Sequence, residues 1–162
     1  MPDPNEQSIS KRQNSEQKRG RQAWQNIQRI KELDGSTDKK LEKEYRSLAR
    51  GLNAMIQING LGQTLGFFKA KGKNDEKKPH YQLLLHLTTW MQEPEHFKAS
   101  NSNVMRTGYD GLLRWVTDPG TSSDDYRRAT TECLAFGVWL RRFAEGELEE
   151  SEPEPEAGDN TK

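Results

Sequence analysis

The chain has 162 residues, 31% of them hydrophobic and 31% charged, with a mean hydropathy of −1.09. One small domain with polar flanks is expected, and no apolar run approaches the ~18 residues that a membrane span needs. The single cysteine, Cys133, excludes an intrachain disulfide framework and a multi-cysteine metal cage.

The formal net charge of zero hides an uneven distribution. Residues 145–162 carry eight acids and one lysine, a net of −7, and the remainder carries 24 basic and 17 acidic side chains, a net of +7. A basic body with an acidic tail points to a moderate polyanion-binding surface. The N-terminal MPDPNEQSIS has no basic-then-apolar leader pattern, so no secretory segment is expected and a cytoplasmic address is the default. Residues 1–17 are polar and expected to be disordered or nascent helix. A helical domain follows over 18–146. The acidic tail 147–162 has almost nothing apolar with which to offset its ordering entropy, and is expected to be disordered.

From Arg21, the residues Ala23, Trp24, Ile27, Ile30 and Leu33 recur at helical spacing. Asp34-Gly35-Ser36-Thr37 stops that helix and offers an N-cap for the next. In the second helix Leu41, Tyr45, Leu48, Leu52 and Met55 step by fours and threes as one apolar seam. The seam meets Asn59-Gly60-Leu61-Gly62, where a kink or a close helix approach is expected. Gly60, Gly62 and Gly66 match no phosphate-cradling fingerprint, so helix contact explains them better. Leu65, Phe67 and Phe68 carry apolar character to Ala70. A lysine-rich loop (Lys69, Lys71, Lys73, Lys77, Lys78) comes next.

Pro79 suits a helix start, with Leu84, Leu87 and Met91 sharing a face. Residues 95–108 are weakly patterned, a loop with one short turn. Tyr109 to Val116 reads as a short helix. Ser122 to Asp125 then supply a cap and negative charge where the dipole of the last helix favours them. In that helix Tyr126, Ala129, Cys133, Phe136, Leu140 and Phe143 form the seam. The pattern is all-α, a single bundle of about five to seven helices with disordered polar termini.

Little here supports catalysis. His80, His86 and His96 form no zinc-binding helical pair, and Cys133 lies in an apolar seam. Asp124-Asp125 is helix-start chemistry. No enzyme activity, cofactor or metal is expected. The basic residues are more informative. On a helical wheel of 39–57, Lys39, Lys43, Arg46, Arg50, Asn53 and Gln57 occupy a stripe of about 80° opposite Leu41. At ~1.5 Å per residue it is about 27 Å long, enough to follow several backbone phosphates. The bland alternative is a solvated helix face. On the last helix Arg127, Arg128, Arg141 and Arg142 also lie off the seam. Leu134 and Val138 among them are either a subunit contact or packed under a loop.

Two blocks carry a family resemblance. EYRSLARGLNAMIQINGLGQTLGFF (44–68) and YRRATTECLAFGVWLRRFAEG (126–146) resemble the small helical subunit of the type III-B CRISPR effector, the Cmr (RAMP module) complex. The first block runs from Tyr45 and Arg46 through Ile56 to Asn59-Gly60-Leu61. The second has Trp139 followed by Arg142-Phe143-Ala144. Helix order agrees over roughly 21–146. The N-terminal extension and acidic tail have no obvious family counterpart.

The resemblance implies a non-catalytic subunit that stacks in several copies beside the other Cmr subunits. These copies would line the guide-RNA-bearing backbone and hold target RNA, while other subunits cut it. On that reading the candidate RNA contacts are Lys39, Lys43, Arg46, Arg50, Gln57, Lys69, Lys71, Lys73, Arg141 and Arg142, with Leu134 and Val138 as candidate subunit contacts. The alternatives from other classes are a helical DNA-binding regulator, which would prefer one duplex, and a helical scaffold without nucleic acid contact.

Overall fold

The computed structural model describes residues 4–93 and 101–153, the side chains of 5–13 excepted. Six α-helices and one 3₁₀ turn account for the regular structure, with no strand among the described residues. They are α1 (Pro4–Leu33), α2 (Lys40–Asn59), α3 (Leu61–Gly72), α4 (Pro79–Met91), the 3₁₀ turn Ser102–Arg106, α5 (Gly111–Val116) and α6 (Ser123–Glu147). The all-α expectation holds. The backbone of 4–17 is the first part of α1. Residues 1–3, 94–100 and 154–162 lie outside the described residues, and with them His96 and most of the acidic tail.

The link between α1 and α2 is built differently from its sequence pattern. The residue before α2, Lys39, has φ +55° and its side chain makes no cap bond. Instead Asp34, 6% exposed, spans the gap. Its Oδ1 accepts the Ser36 backbone N–H at 3.0 Å and its Oδ2 accepts the Glu42 N–H at 3.0 Å. Burial alone would raise this carboxyl's pKa, but hydrogen bonds from Ser36 and Glu42 outweigh it and hold the group below its usual value. At the other end of α2, Gly60 adopts φ +83° and lets the chain turn directly into α3. The Gly62 N–H then donates to the Tyr126 hydroxyl at 2.9 Å. Gly66 meets nothing nearby, so close contact explains Gly62 and not Gly66. Ser122 does cap α6, accepting the Asp125 N–H at 3.1 Å.

The last helix organises the bundle. It runs alongside α1, with Arg19 paired to Glu132, Trp24 edge-on to Phe143 and Lys31 paired to Glu147. It runs antiparallel to α2, where Leu134 meets Asn53 and Glu145 meets Arg46, and its first turn reaches the start of α3, where Tyr126 meets Gly62. Under these helices lies α4, with Trp90 stacked on Phe136 at 5.0 Å. The core joins Ile27 and Ile30, Leu52 and Ile56, Leu65 and Phe68, Leu84 and Leu87, Trp115, and Phe136 and Leu140.

One polar pair is sealed into this core. The Tyr45 hydroxyl and His86 Nδ1 share a hydrogen bond at 2.7 Å, and both residues are buried. Burial, and then the nearby positive charge of Arg29, lower the His86 pKa from 6.5 to about 3, so the folded protein holds a neutral imidazole. Burial also raises the Tyr45 pKa. An unfolded chain binds a proton at His86 below pH ~6.5 and the folded chain does not until about pH 3. Stability is therefore fully present above pH ~6.5 and is lost as pH falls, by up to ~1.4 kcal/mol per unit from this group. Urea midpoints should drop between pH 7.5 and 5.0. The double replacement Tyr45→Phe, His86→Phe, which removes both polar partners together, should flatten that slope; an unchanged slope would deny His86 the role.

Candidate nucleic-acid interface

The basic stripe of α2 is only partly a surface. The residues that α2 buries are Leu41, Glu42, Tyr45, Ala49, Leu52 and Ile56, whereas Leu48 and Met55 are half-buried. On a 100° wheel the buried apolar arc is turned by about 40° from Leu41, toward Asn53 and Arg46. Ala49, 1% exposed, extends the buried arc to that flank, where α6 packs with Gly137 against Asn53 and Leu52. Arg46 consequently lies under the end of α6. Its Nη1 donates to the carbonyls of Glu145 at 2.9 Å and Leu148 at 3.0 Å, and its Nη2 pairs with Glu150 at 3.4 Å.

This corrects the reading of Arg46 as facing away from the bundle. It satisfies the last carbonyls of α6, where the dipole favours a cation. Arg50 pairs with Glu145 at 3.2 Å and Glu150 at 3.5 Å but stays half exposed. Lys39 pairs with the buried Glu42 at 3.5 Å. Lys43 has no ionic partner among the described residues, and Gln57 is exposed.

The same flank shows that the chain beyond 146 is not all free tail. Leu148 is 4% exposed and belongs to the core, and the Glu149 N–H reaches Glu42 Oε1 at 3.4 Å. Two arginines hold the Glu145 carboxylate. Burial opposes them, but hydrogen bonds from Arg141 and Arg50 keep its pKa below the usual value. Arg141 is thus paired at 3.2 Å, while Arg142 is exposed and has no partner among the described residues. Leu134 is half-buried against the core and its carbonyl accepts from Asn53 Nδ2 at 3.0 Å. Val138, 40% exposed, is the more available of the two.

The lysine loop divides in two. Lys69 turns inward onto α5: Nζ pairs with Asp110 at 2.9 Å, donates to the Tyr109 hydroxyl at 2.7 Å and lies 4.5 Å from that ring's centre. It is a structural bond between α3 and α5. Lys71, Lys73, Lys77 and Lys78 instead surround an open groove of about 1200 Å³ between this loop and α2. None of the four has an ionic partner among the described residues. Lys40 joins them, weakly paired with Glu44 at 4.0 Å. Five lysines thus face three carboxylates (Asp34, Glu44 and Asp75), and Asp34 is already spent on backbone N–H groups. Leu48, Gly51 and Met55 of α2 form the floor.

Lys77 and Lys78 were visible in the sequence as part of a lysine run. Their convergence with Lys40 was not, because it depends on how α2 sits against the α3–α4 connection.

No group of three His, Cys, Asp or Glu residues is placed to hold a metal ion among the described residues. Burial pushes the Cys133 thiol pKa up, with Glu132 adding to the shift, so that sulfur is held in its unreactive form. His80 is half-buried against Phe67, its pKa lowered by burial and then by Lys71. No described helix is long and apolar enough to cross a membrane.

The sequence profile of the CRISPR-associated protein family Cas_Cmr5 matches residues 15–147. The chain belongs to that family. A curated relative, the CRISPR system Cmr subunit Cmr5 of Thermus thermophilus, is 28% identical over 109 residues, covering 66% of this chain and 77% of the relative. The matched span runs from within α1 to the last residue of α6. In this Cmr5-family chain it takes in both quoted sequence blocks, Arg46 and the five groove lysines, so the resemblance noted from those blocks holds.

Proposed function

We propose that the protein is a non-catalytic small subunit of a type III-B CRISPR ribonucleoprotein. It stacks in several copies beside other Cmr subunits and contacts the backbone of target RNA through a basic face. Family membership supports the subunit role. RNA contact is supported above all by one observation: four lysines without described partners ring a single open groove. Lysine amines at the rim can meet phosphate oxygens as point charges and carry no sequence preference. That is what a subunit must do if different guides bring different targets. Lys43 and Arg142 are exposed or half-exposed cations that could extend the contact. Arg46 and Lys69 serve the fold, and Val138 is the better candidate for a contact with a neighbouring subunit.

The test belongs in the assembled complex. Replacing Lys71, Lys73, Lys77 and Lys78 together by glutamine should weaken RNA binding about equally across sequences. Each lost phosphate contact flattens the salt slope by about 0.7 on a single strand, so the four together flatten it by two to three at most. Stability should hardly move, since these side chains lie at the surface. Unchanged affinity and slope with an intact fold would refute the groove as the contact. Tight binding to one duplex sequence would favour the DNA regulator instead.

A further inference from the structure

We propose that the lysine groove is occupied, in the protein without RNA, by the chain's own acidic C-terminal segment, residues 152–162. As regulation of the RNA site this rests on the function proposed above; as a docking contact it stands by itself. The described chain already leads there. Ser151 is a lining residue of the groove, so the backbone reaches its edge four residues after α6 ends. Two glutamates upstream of it follow a basic face, Glu145 pairing with Arg50, and Glu150 with both Arg46 and Arg50.

The segment beyond Ser151 suits the site. Glu152, Glu154, Glu156 and Asp159 are its acids, with Lys162 its one cation, and Pro153 and Pro155 alternate with the glutamates. In polyproline II form a Glu-Pro alternation would rise ~3.1 Å per residue and place successive glutamates ~6 Å apart along the chain. The five alternating residues, 152–156, would span ~16 Å in that form, and all eleven residues of the segment no more than ~34 Å. Opposite them, Lys71, Lys73, Lys77 and Lys78 have no carboxylate partner among the described residues.

Tethering decides the outcome. Each exposed ion pair contributes little, but a segment anchored at the groove's edge sees it at an effective concentration in the millimolar range. RNA must then displace the segment, and only RNA held close by the rest of a complex competes well. The groove would therefore resist stray single strands.

Three measurements on the 162-residue protein test this, comparing it with the variant Glu152→Gln, Glu154→Gln, Glu156→Gln, Asp159→Asn. Without RNA, zero-length carbodiimide cross-linking should join Glu154 and Glu156 mainly to Lys71, Lys73, Lys77 and Lys78. In the variant, amine acylation of those four lysines should rise about two- to fivefold, with Lys43 unchanged as the internal control. Binding of single-stranded oligouridylate at low salt should tighten by roughly three- to tenfold. Cross-links scattered over surface lysines, together with equal acylation in both proteins, would overturn the proposal whether or not RNA binds. If the cross-links and protection are found but oligouridylate binds both proteins alike, the docking stands and the RNA reading of the groove falls.

Discussion

Replacing Arg46 by alanine is expected to lower unfolding stability by ~2–3 kcal/mol, far more than an exposed arginine would cost. Two carbonyls at the end of α6 lose their donor together, those of Glu145 and Leu148. Glu150 loses a charged partner at 3.4 Å. Hydrogen bonds that involve a charged group contribute ~1.5–3 kcal/mol each, and the cation also complements the helix dipole. One opposing term is present: Arg46 Nε is buried without a partner among the described residues, which offsets part of the gain. Arg50→Ala is the internal contrast. That guanidinium is half exposed, so its loss should cost no more than ~1 kcal/mol. Urea unfolding of both variants measures the difference. Equal, small losses would show that Arg46 is a surface residue after all. The same geometry limits truncation. Ending the chain at Gly146 removes the buried Leu148 and one of the Arg46 acceptors and should destabilise the fold, whereas ending it at Ser151 should not.

Arg46 also marks where sequence reasoning stops. Helix order, the break at Gly60 and the Ser122 cap were all legible, because each depends on residues within a few positions of one another. The apolar seam of α2 was legible as a stripe but not in its rotation. Counting Leu48 and Met55, and passing over Ala49, aims the stripe about 40° away from its true centre. A large apolar residue attracts notice in a pattern, while a small buried one such as Ala49 does not. The candidate site changed for that reason. Arg46 was drawn under α6, Lys69 was taken by Asp110, and Lys71 and Lys73 remained. Lys40, Lys77 and Lys78 joined them through a contact between distant segments, which no local period encodes. The Asp34 bridge to Glu42 N–H is a similar case: the acid was identified as a stop signal, and its bond eight residues ahead depends on how the linker folds back.

The close approach of α6 to α2 has its own keystone, Gly137, and replacing it by valine is expected to cost ~3 kcal/mol or more, the upper range for overpacking. A Cβ at this position would stand 2.2 Å from Asn53 Oδ1 and 3.2 Å from the buried Leu52 Cδ2. No rotamer of a branched side chain avoids both. Alanine is the more informative replacement, because two effects oppose each other. In a helix interior it gains up to ~1 kcal/mol over glycine. Against that, Asn53 must swing away and lose its 3.0 Å bond to the Leu134 carbonyl, and Leu52 must yield by a few tenths of an ångström. Gly137→Ala should therefore destabilise by ~1–2 kcal/mol on its own. In an Asn53→Ala background the main obstacle is already gone and the helix-propensity gain remains, so the same substitution should be near neutral. A double-mutant cycle in urea reads the coupling directly. If the cost of alanine at 137 is the same in both backgrounds, then α6 does not lie on Asn53. The flank of α2 that carries Arg46 would then be open to solvent, and the arginine stripe would return as a surface that RNA could reach.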